Sequence, residues 1–424
     1  MVPSQVGLTV TSLADAGPGT LRAAILTADR GSHSDKFTID FAVAGTIDLQ
    51  SPLPDLDNTI AIEGPVAASL TVERAAGVSF TSAIVTVDAG QATSFSGLTI
   101  TNGNAGAIVN NGTLTVANCA IVDGGSPLVN NFLFGGGIYN VGTVTVQGST
   151  FSGDSATVGG AIFNTGTVTV QQSSFSGNSA FDGGGIFSGA SGTLTISGCT
   201  ISGNSAINGG GIFNRGMLTV SASSLSGNTA NRGGGILNVG TLTVNGCTLS
   251  GNSATDLTLD NGFVLVGQGG GIWNLGTTTV RDSYFVATNS GVPNSADLGG
   301  AIYNGVSATL DVRGSTFSGN LATEGAAIYD DAFGTLEIRG STFTGNTASD
   351  SGGAIYNLGT ATVQESTLSG NTAGSAGGGI FNGSSGTLAV KDSTALNNVA
   401  PLGADLYNLG ALTLDDSTVG ILGP

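Results

Sequence analysis

One unit of about 26 residues recurs through most of this chain, in the form GGGIFN, then GTLTV, then STFSGNSA; one copy runs from Gly160 to Ala180 and the next from Gly184 to Ala206. A unit this short cannot bury its own apolar face, so its copies must stack on one another. That requirement leaves few architectures open. Each copy holds three short β-like runs separated by Gly and Asn, which tolerate the positive φ of tight turns. Within the GTLTV run, Leu194 and Ile196 point one way and Thr193 and Thr195 the other. No copy contains a helical run. Three strands per turn of about 25 residues is the rhythm of a parallel β-helix.

The isoleucine that opens each copy gives the register: Ile108, Ile138, Ile162, Ile186, Ile212, Ile236, Ile272, Ile302, Ile328, Ile355, Ile380 and finally Leu406. Most spacings are 24 to 27 residues, and three are long: Ile108 to Ile138, Ile236 to Ile272 and Ile272 to Ile302. All three are expected to expand the same turn, between SGNSA and the next GG.

Before the regular copies, residues 1–104 read as irregular first coils, with strand-like pieces at Thr46–Leu49, Thr59–Glu63, Leu70–Glu73, Ile84–Asp88 and Leu98–Thr101. Leu21, Ala24, Ile25 and Ala28 share a helical face, with Thr20 as N-cap, which predicts a capping helix over about 20–29. Residues 105–424 are read as regular repeats of the same solenoid, about fifteen coils in all. After Val419 only five residues follow, so the last edge is expected to meet another copy end to end or a following domain.

The net charge is -18, with only 10 Lys+Arg. That excludes a basic footprint for nucleic acid and docking on an anionic membrane. No run of about 18 apolar residues could span a membrane, and no signal peptide is visible at the start. Cys119, Cys199 and Cys247 fall where most copies have Ser, and are expected to be buried thiols in one column rather than disulfide partners.

Several columns follow from the register. Two are asparagine ladders, one containing Asn164, Asn214 and Asn238, the other Asn178, Asn204, Asn228, Asn252, Asn320, Asn346 and Asn371. Stacked amides hydrogen-bond coil to coil, so both read as structural. A third column is aromatic and includes Trp273, Tyr303 and Tyr329. It reads either as an exposed stripe for sugar rings or a partner, or as rings covering one another. Outward threonines such as Thr193/Thr195 and Thr241/Thr243 form a grid compatible with ice binding, interrupted at Met217, Asp311, Glu337 and Ala389.

The GG[GA]I motif with F-x-x-N at Phe175–Asn178, Phe317–Asn320 and Phe343–Asn346 resembles the repeat of polymorphic outer-membrane-protein-type surface proteins. More broadly the chain resembles bacterial right-handed β-helix surface proteins of the pectate-lyase-like superfamily. The resemblance implies an extracellular or cell-surface setting and a stalk, adhesin or filament-forming role. It also implies an alternative, a carbohydrate-active enzyme or sugar-binding module.

Catalysis has little support in the residues. Between Gly135 and Ala254 the only acids are Asp154 and Asp182, the bases are Arg215 and Arg232, and the single histidine, His33, lies in the capping region. No Ser-His-Asp set can be assembled. The candidate ligand edge is acidic: Asp256, Asp260, Asp297 and Glu324, with Asp330 and Asp331 on a neighbouring turn and Trp273, Tyr303 and Tyr329 nearby. It reads as a solvated loop face or as a glycan or Ca²⁺ edge. No other cofactor is expected. The enzyme alternative predicts a groove there lined by aromatics and acids.

Overall fold

The structure is a computed structural model that describes residues 4–125 and 133–424. The chain forms two compact units, Met1–Thr200 and Ile201–Pro424. Both are all-β parallel solenoids with three sheets.

In the first unit, the sheet of longest strands begins with Gln5–Val10 paired to Lys36–Phe41 and ends with Thr167–Gln171 paired to Thr193–Ser197. The register is residue for residue: Val144 lies against Val168, and Val146 against Val170. One face of each strand is therefore apolar from coil to coil and closes the core. The second sheet carries Phe151 against Phe175, and the third stacks Ile138 on Ile162 on Ile186. The second unit repeats the plan from Met217–Ser221 to Ala411–Asp415, with Phe285, Phe317 and Phe343 in one core row. The rings in that row lie 4.7 and 4.8 Å apart and nearly parallel, and are fully buried.

A single backbone device turns the regular coils, from Thr113–Ala117 onward, after their long strand. The residues from Asn118, Gly148, Gln172 and Gly198 in the first unit to Ala222, Gly246, Asp282 and Gly314 in the second all have φ between 45° and 63°. The next residue is always Ser or Cys, and it faces inward. In that column the hydroxyl accepts the backbone N–H of the coil before it: Cys119 N donates to Ser149 Oγ at 3.1 Å, and Cys247 N to Ser283 Oγ at 3.1 Å. The three cysteines are free and buried, and burial raises their thiol pKa, so they fill space as thiols.

The helix is Leu21–Asp29, with Thr20 Oγ1 accepting from Ala23 N and Leu21, Ile25 and Ala28 buried. Arg22 ties it down through Asp15 and the carbonyls of Ser51 and Pro52. Two strands absent from the sequence reading, Gln5–Val10 and Lys36–Phe41, flank this helix. Neither lies in a repeat, so no register marked them.

The insertions do not all expand one turn. That of the first long coil falls largely on residues 126–132, outside the described residues. The second lies between Ala254 and Gly269 as expected and folds into an antiparallel hairpin, Leu257–Thr258 with Val264–Leu265. The third lies one turn earlier, between Val286 and Asn294. The ladder shows this directly, because Asn252 Nδ2 donates to Asn294 Oδ1 at 3.0 Å and Asn294 Nδ2 to Asn320 Oδ1 at 2.9 Å. Asn294 is thus the rung of its coil, and Asp297 sits at a regular position rather than in an insertion.

Candidate functional site

Each coil contributes one side chain to each column, so a site on this scaffold is a set of neighbouring rungs. Most of the repeated chemistry turns inward. Asn140 Nδ2 donates to Asn164 Oδ1 at 2.9 Å; Asn214 to Asn238 at 2.8 Å; Asn238 to Asn274 at 3.0 Å. In the other column Asn204, Asn228 and Asn252 form consecutive 2.9 Å rungs, and Asn320, Asn346, Asn371 and Asn398 continue at 2.8 to 2.9 Å. The rungs also reach the backbone: Asn178 Nδ2 donates to Phe151 O at 3.2 Å, and Asn164 Nδ2 to Thr193 O at 3.2 Å. All are buried. Sequence reasoning missed Asn110, Ser188 and Asp330 in one column and Asp154, Asn294, Asn398 and the terminating Asp405 in the other, most of them because they are not asparagine or not in an SGN turn; Asp405 Oδ1 accepts Asn398 Nδ2 at 2.9 Å.

The aromatic column is a stack. Trp273, Tyr303, Tyr329, Tyr356 and Phe381 lie with centroids 4.6 to 6.4 Å apart. Trp273, Tyr303 and Tyr329 are 9%, 6% and 7% exposed. The reading of these three as ligand-facing is therefore corrected: ring faces that cover each other offer no platform for a sugar. Arg232 lies over the Trp273 ring, 5.1 Å from its centroid, and the Tyr303 hydroxyl donates to Asp331.

The acids are dispersed. Asp330 does not project at all; it is fully buried in the asparagine ladder, and Asn304 Nδ2 donates to its Oδ1 at 2.6 Å. Asp260 lies exposed at the hairpin turn, away from the other three. Asp256 and Asp297 do come together, in an open groove of about 410 Å³ that Thr323 and Ser349 also line. Asp256 Oδ1 accepts Gly267 N at 2.9 Å. Burial, then the hydrogen bond and charge of Asp256, raise the Asp297 carboxyl above the usual range, while Thr323 opposes the shift. Glu324 is raised by burial and by Asp350. No aromatic ring lines the groove, contrary to the aromatic-and-acid groove expected of the enzyme alternative.

Calcium requires six to eight oxygens. Among the described residues no group of three or more Asp, Glu, His or Cys is gathered for a metal. Asp256 Oδ1 already serves a backbone N–H, and Asp297 leans on Asp256.

The outward sheet faces carry the Thr columns, and in the second unit a charged strip. Arg281, Arg313 and Arg339 are in register on consecutive strands, with Asp311 beside Glu337 in the neighbouring column. Arg313 pairs with Asp311 at 2.8 Å and Arg339 with Glu365 at 2.9 Å.

The family described as a right-handed β-helix region matches residues 82–285, and the Chlamydia polymorphic membrane protein repeat matches residues 340–358, the stretch that holds Phe343, Asn346 and Ile355. A comparison with curated proteins finds no match. Similar solved structures include the A-modules of two Azotobacter vinelandii mannuronan C-5 epimerases, AlgE6 at 11% identity, covering 97% of each chain with TM-score 0.44, and AlgE4 at 13%, covering 96% of this chain and 97% of that one with TM-score 0.42. They also include PfbA, a surface adhesin of Streptococcus pneumoniae, at 12% identity, covering 97% of this chain and 91% of that one with TM-score 0.36. The fold is a right-handed parallel β-helix, and its repeat is of the kind read from the sequence. Among the described residues no helix is long and apolar enough to cross a membrane.

Proposed function

We propose that this chain is a non-catalytic β-helix module of an extracellular or bacterial cell-surface protein, serving as a stalk or adhesin. One observation carries the reading: the residues that recur in every copy are consumed in holding coils together. Isoleucine, phenylalanine, serine and asparagine columns are buried, the aromatic column is stacked, and what remains outside is mainly Thr and Ser. Such a surface recognises by shape and by local departures from the repeat. We further propose that the last coil is covered by more chain or by a second copy, because Leu414 and Leu422 are 42% and 50% exposed at positions apolar throughout the solenoid. Binding of the purified chain to glycan and matrix-protein arrays, with light scattering and electron microscopy for association, tests both parts. A strictly monomeric protein that binds no array component and cleaves a polysaccharide sinks the proposal.

A second reading, a carbohydrate-active enzyme, has one observation in its favour: the Asp256–Asp297 pair, in which one carboxyl is held above its usual range at the floor of a groove. Lyase and hydrolase assays on acidic and neutral polysaccharides, with Asp256→Asn and Asp297→Asn as controls, decide it.

A further inference from the structure

Two aspartates stand where the ladders call for asparagine, and their geometry differs from that of a carboxylate. Asn357 shows what a rung does: its Nδ2 donates to Asn382 Oδ1 at 2.7 Å, to the turn carbonyl of Gly359 at 3.4 Å and to Thr387 O at 3.3 Å. Asn304 donates likewise to Asp330 Oδ1, Ala308 O and Thr335 O. In the next coil Asp330 occupies this place. Its Oδ1 accepts from Asn304, and its Oδ2 is buried without a hydrogen-bond partner among the described residues. The register directs Oδ2 at the positions an amide NH₂ would serve, which are Asn357 Oδ1, Thr360 O and the turn carbonyl of Gly334. All of these are acceptors. A methyl carbon placed on Gly359 would come within 2.5 Å of both Asp330 Oδ2 and Gly334 O, so the pocket is tight.

Asp154 repeats the situation in the other ladder. Gly124 N donates to its Oδ1 at 2.8 Å, and its own N–H donates to Asn178 Oδ1 at 2.9 Å. Its Oδ2 has no partner among the described residues. An asparagine there would donate to Ile121 O, as Asn178 donates to Phe151 O one coil on. An ionised carboxylate whose Oδ2 is aimed at carbonyl oxygens in a dry interior is repelled by each of them, whereas a carboxylic acid is a passable amide, because its O–H replaces the N–H that donates onward.

We propose that Asp330 and Asp154 are held in the folded coils as neutral acids whose Oδ2–H completes the ladder, making each a joint that is closed by a proton and weakened when the proton leaves. The electrostatics agree. Burial raises the Asp330 pKa to about 7 against the pull of the Asn304 amide, with Asp331 adding to the rise. Burial raises Asp154 well above its ordinary value, opposed by Gly124 N–H and assisted by Asp123. The groups that face Asp330 are Asp331 on its own turn, Asn304 and Tyr303 from the coil before, and Asn357 and Tyr356 from the coil after; Asp123 is the charged group that acts on Asp154, and among the described residues no cation offsets either acid. A folded pKa above the unfolded value of about 3.9 means that the stabilising contribution is fully present below pH 4 and is lost as pH rises through the folded pKa, near 7 for Asp330.

Hydrogen exchange on the full chain tests the joint. Protection of the Ile328–Asp330 and Ile355–Asn357 amides, corrected for intrinsic exchange, is expected to fall at least tenfold between pH 5 and pH 8. In Asp330→Asn it stays level, with protection at pH 8 above that of the parent. Parallel profiles for parent and variant overturn the proposal. Should the variant fail to fold, the carboxyl carbon resonance of Asp330 in the parent decides instead: an acid at pH 5 that titrates near 7 supports it, and a carboxylate at pH 5 overturns it.

Discussion

A buried primary amide has two donors and an acceptor to satisfy, and Asn238 satisfies all of them within its column. Its Nδ2 donates to Asn274 Oδ1 at 3.0 Å, Gly240 O at 3.0 Å and Thr278 Oγ1 at 3.2 Å, while its Oδ1 accepts from Asn214 at 2.8 Å. Asn238→Ala removes these hydrogen bonds from a buried column and takes away the amide acceptor of Asn214, and the cost is expected at about 1–3 kcal/mol in chemical denaturation. Asn238→Asp is expected to cost more at pH 8 than at pH 5, because it installs an acid with no donor role once ionised. Backbone geometry supplies an opposite case. Ala222 holds φ 45° in the turn where other coils use Gly198 or Gly246. Left-handed backbone disfavours a side chain by roughly 1 kcal/mol, so Ala222→Gly is expected to raise the denaturation midpoint slightly. An unchanged or lower midpoint would show that chain entropy gained in the unfolded state outweighs the relief.

Strands of three and five residues are too short to persist alone and depend on the rows they complete. Phe317 stacks between Phe285 and Phe343 with no exposure, and Phe317→Ala is expected to cost about 3–5 kcal/mol. The hairpin at 257–265 is a different kind of element. It hangs outside the rows, held by Asn231 Nδ2 to Thr255 O and Leu265 O at 2.8 Å, with Phe263 60% exposed. Replacing it with the regular turn of the neighbouring coils is expected to leave the unfolding midpoint nearly unchanged; a large loss would make it part of the core. The same contrast explains what could be read beforehand. The rows were legible because apolar alternation and Asn spacing recur with the coil. The third insertion was misplaced because VATNSGVPN contains two asparagines, and only the hydrogen bonds of Asn294 identify the rung. The burial of Asp330 was not legible because an aspartate near a turn reads as a surface acid until register places it two residues after Ile328. The covering of Trp273, Tyr303 and Tyr329 depends on side-chain stacking that alternation alone leaves open.

At the scale of the whole molecule, acid chemistry is biased in one direction. Carboxyls shifted upward occur in both units: Asp29 to about 6, with Glu73, Asp88 and Asp154 in the first, and Asp297, Glu324 and Asp330 to about 7 in the second. Burial is the leading cause for each. Glu365, lowered by Arg339, shifts the other way but is solvent-exposed and contributes little. For a carboxyl raised on folding, the folded chain holds its proton to higher pH than the unfolded chain does, so stability declines as pH rises from about 4 through the folded value. The net charge of -18 adds self-repulsion that also grows as carboxyls ionise. The melting temperature is therefore expected to be higher near pH 5 than near pH 8. Salt is expected to narrow the difference without abolishing it, since 0.15 M salt screens exposed charges beyond about 8 Å but leaves buried acids untouched. Melting curves at the two pH values, each with and without added salt, separate the contributions. A difference that salt removes entirely would assign the effect to surface repulsion, and one that survives would assign it to the buried acids, where Asp330→Asn is expected to remove part of it.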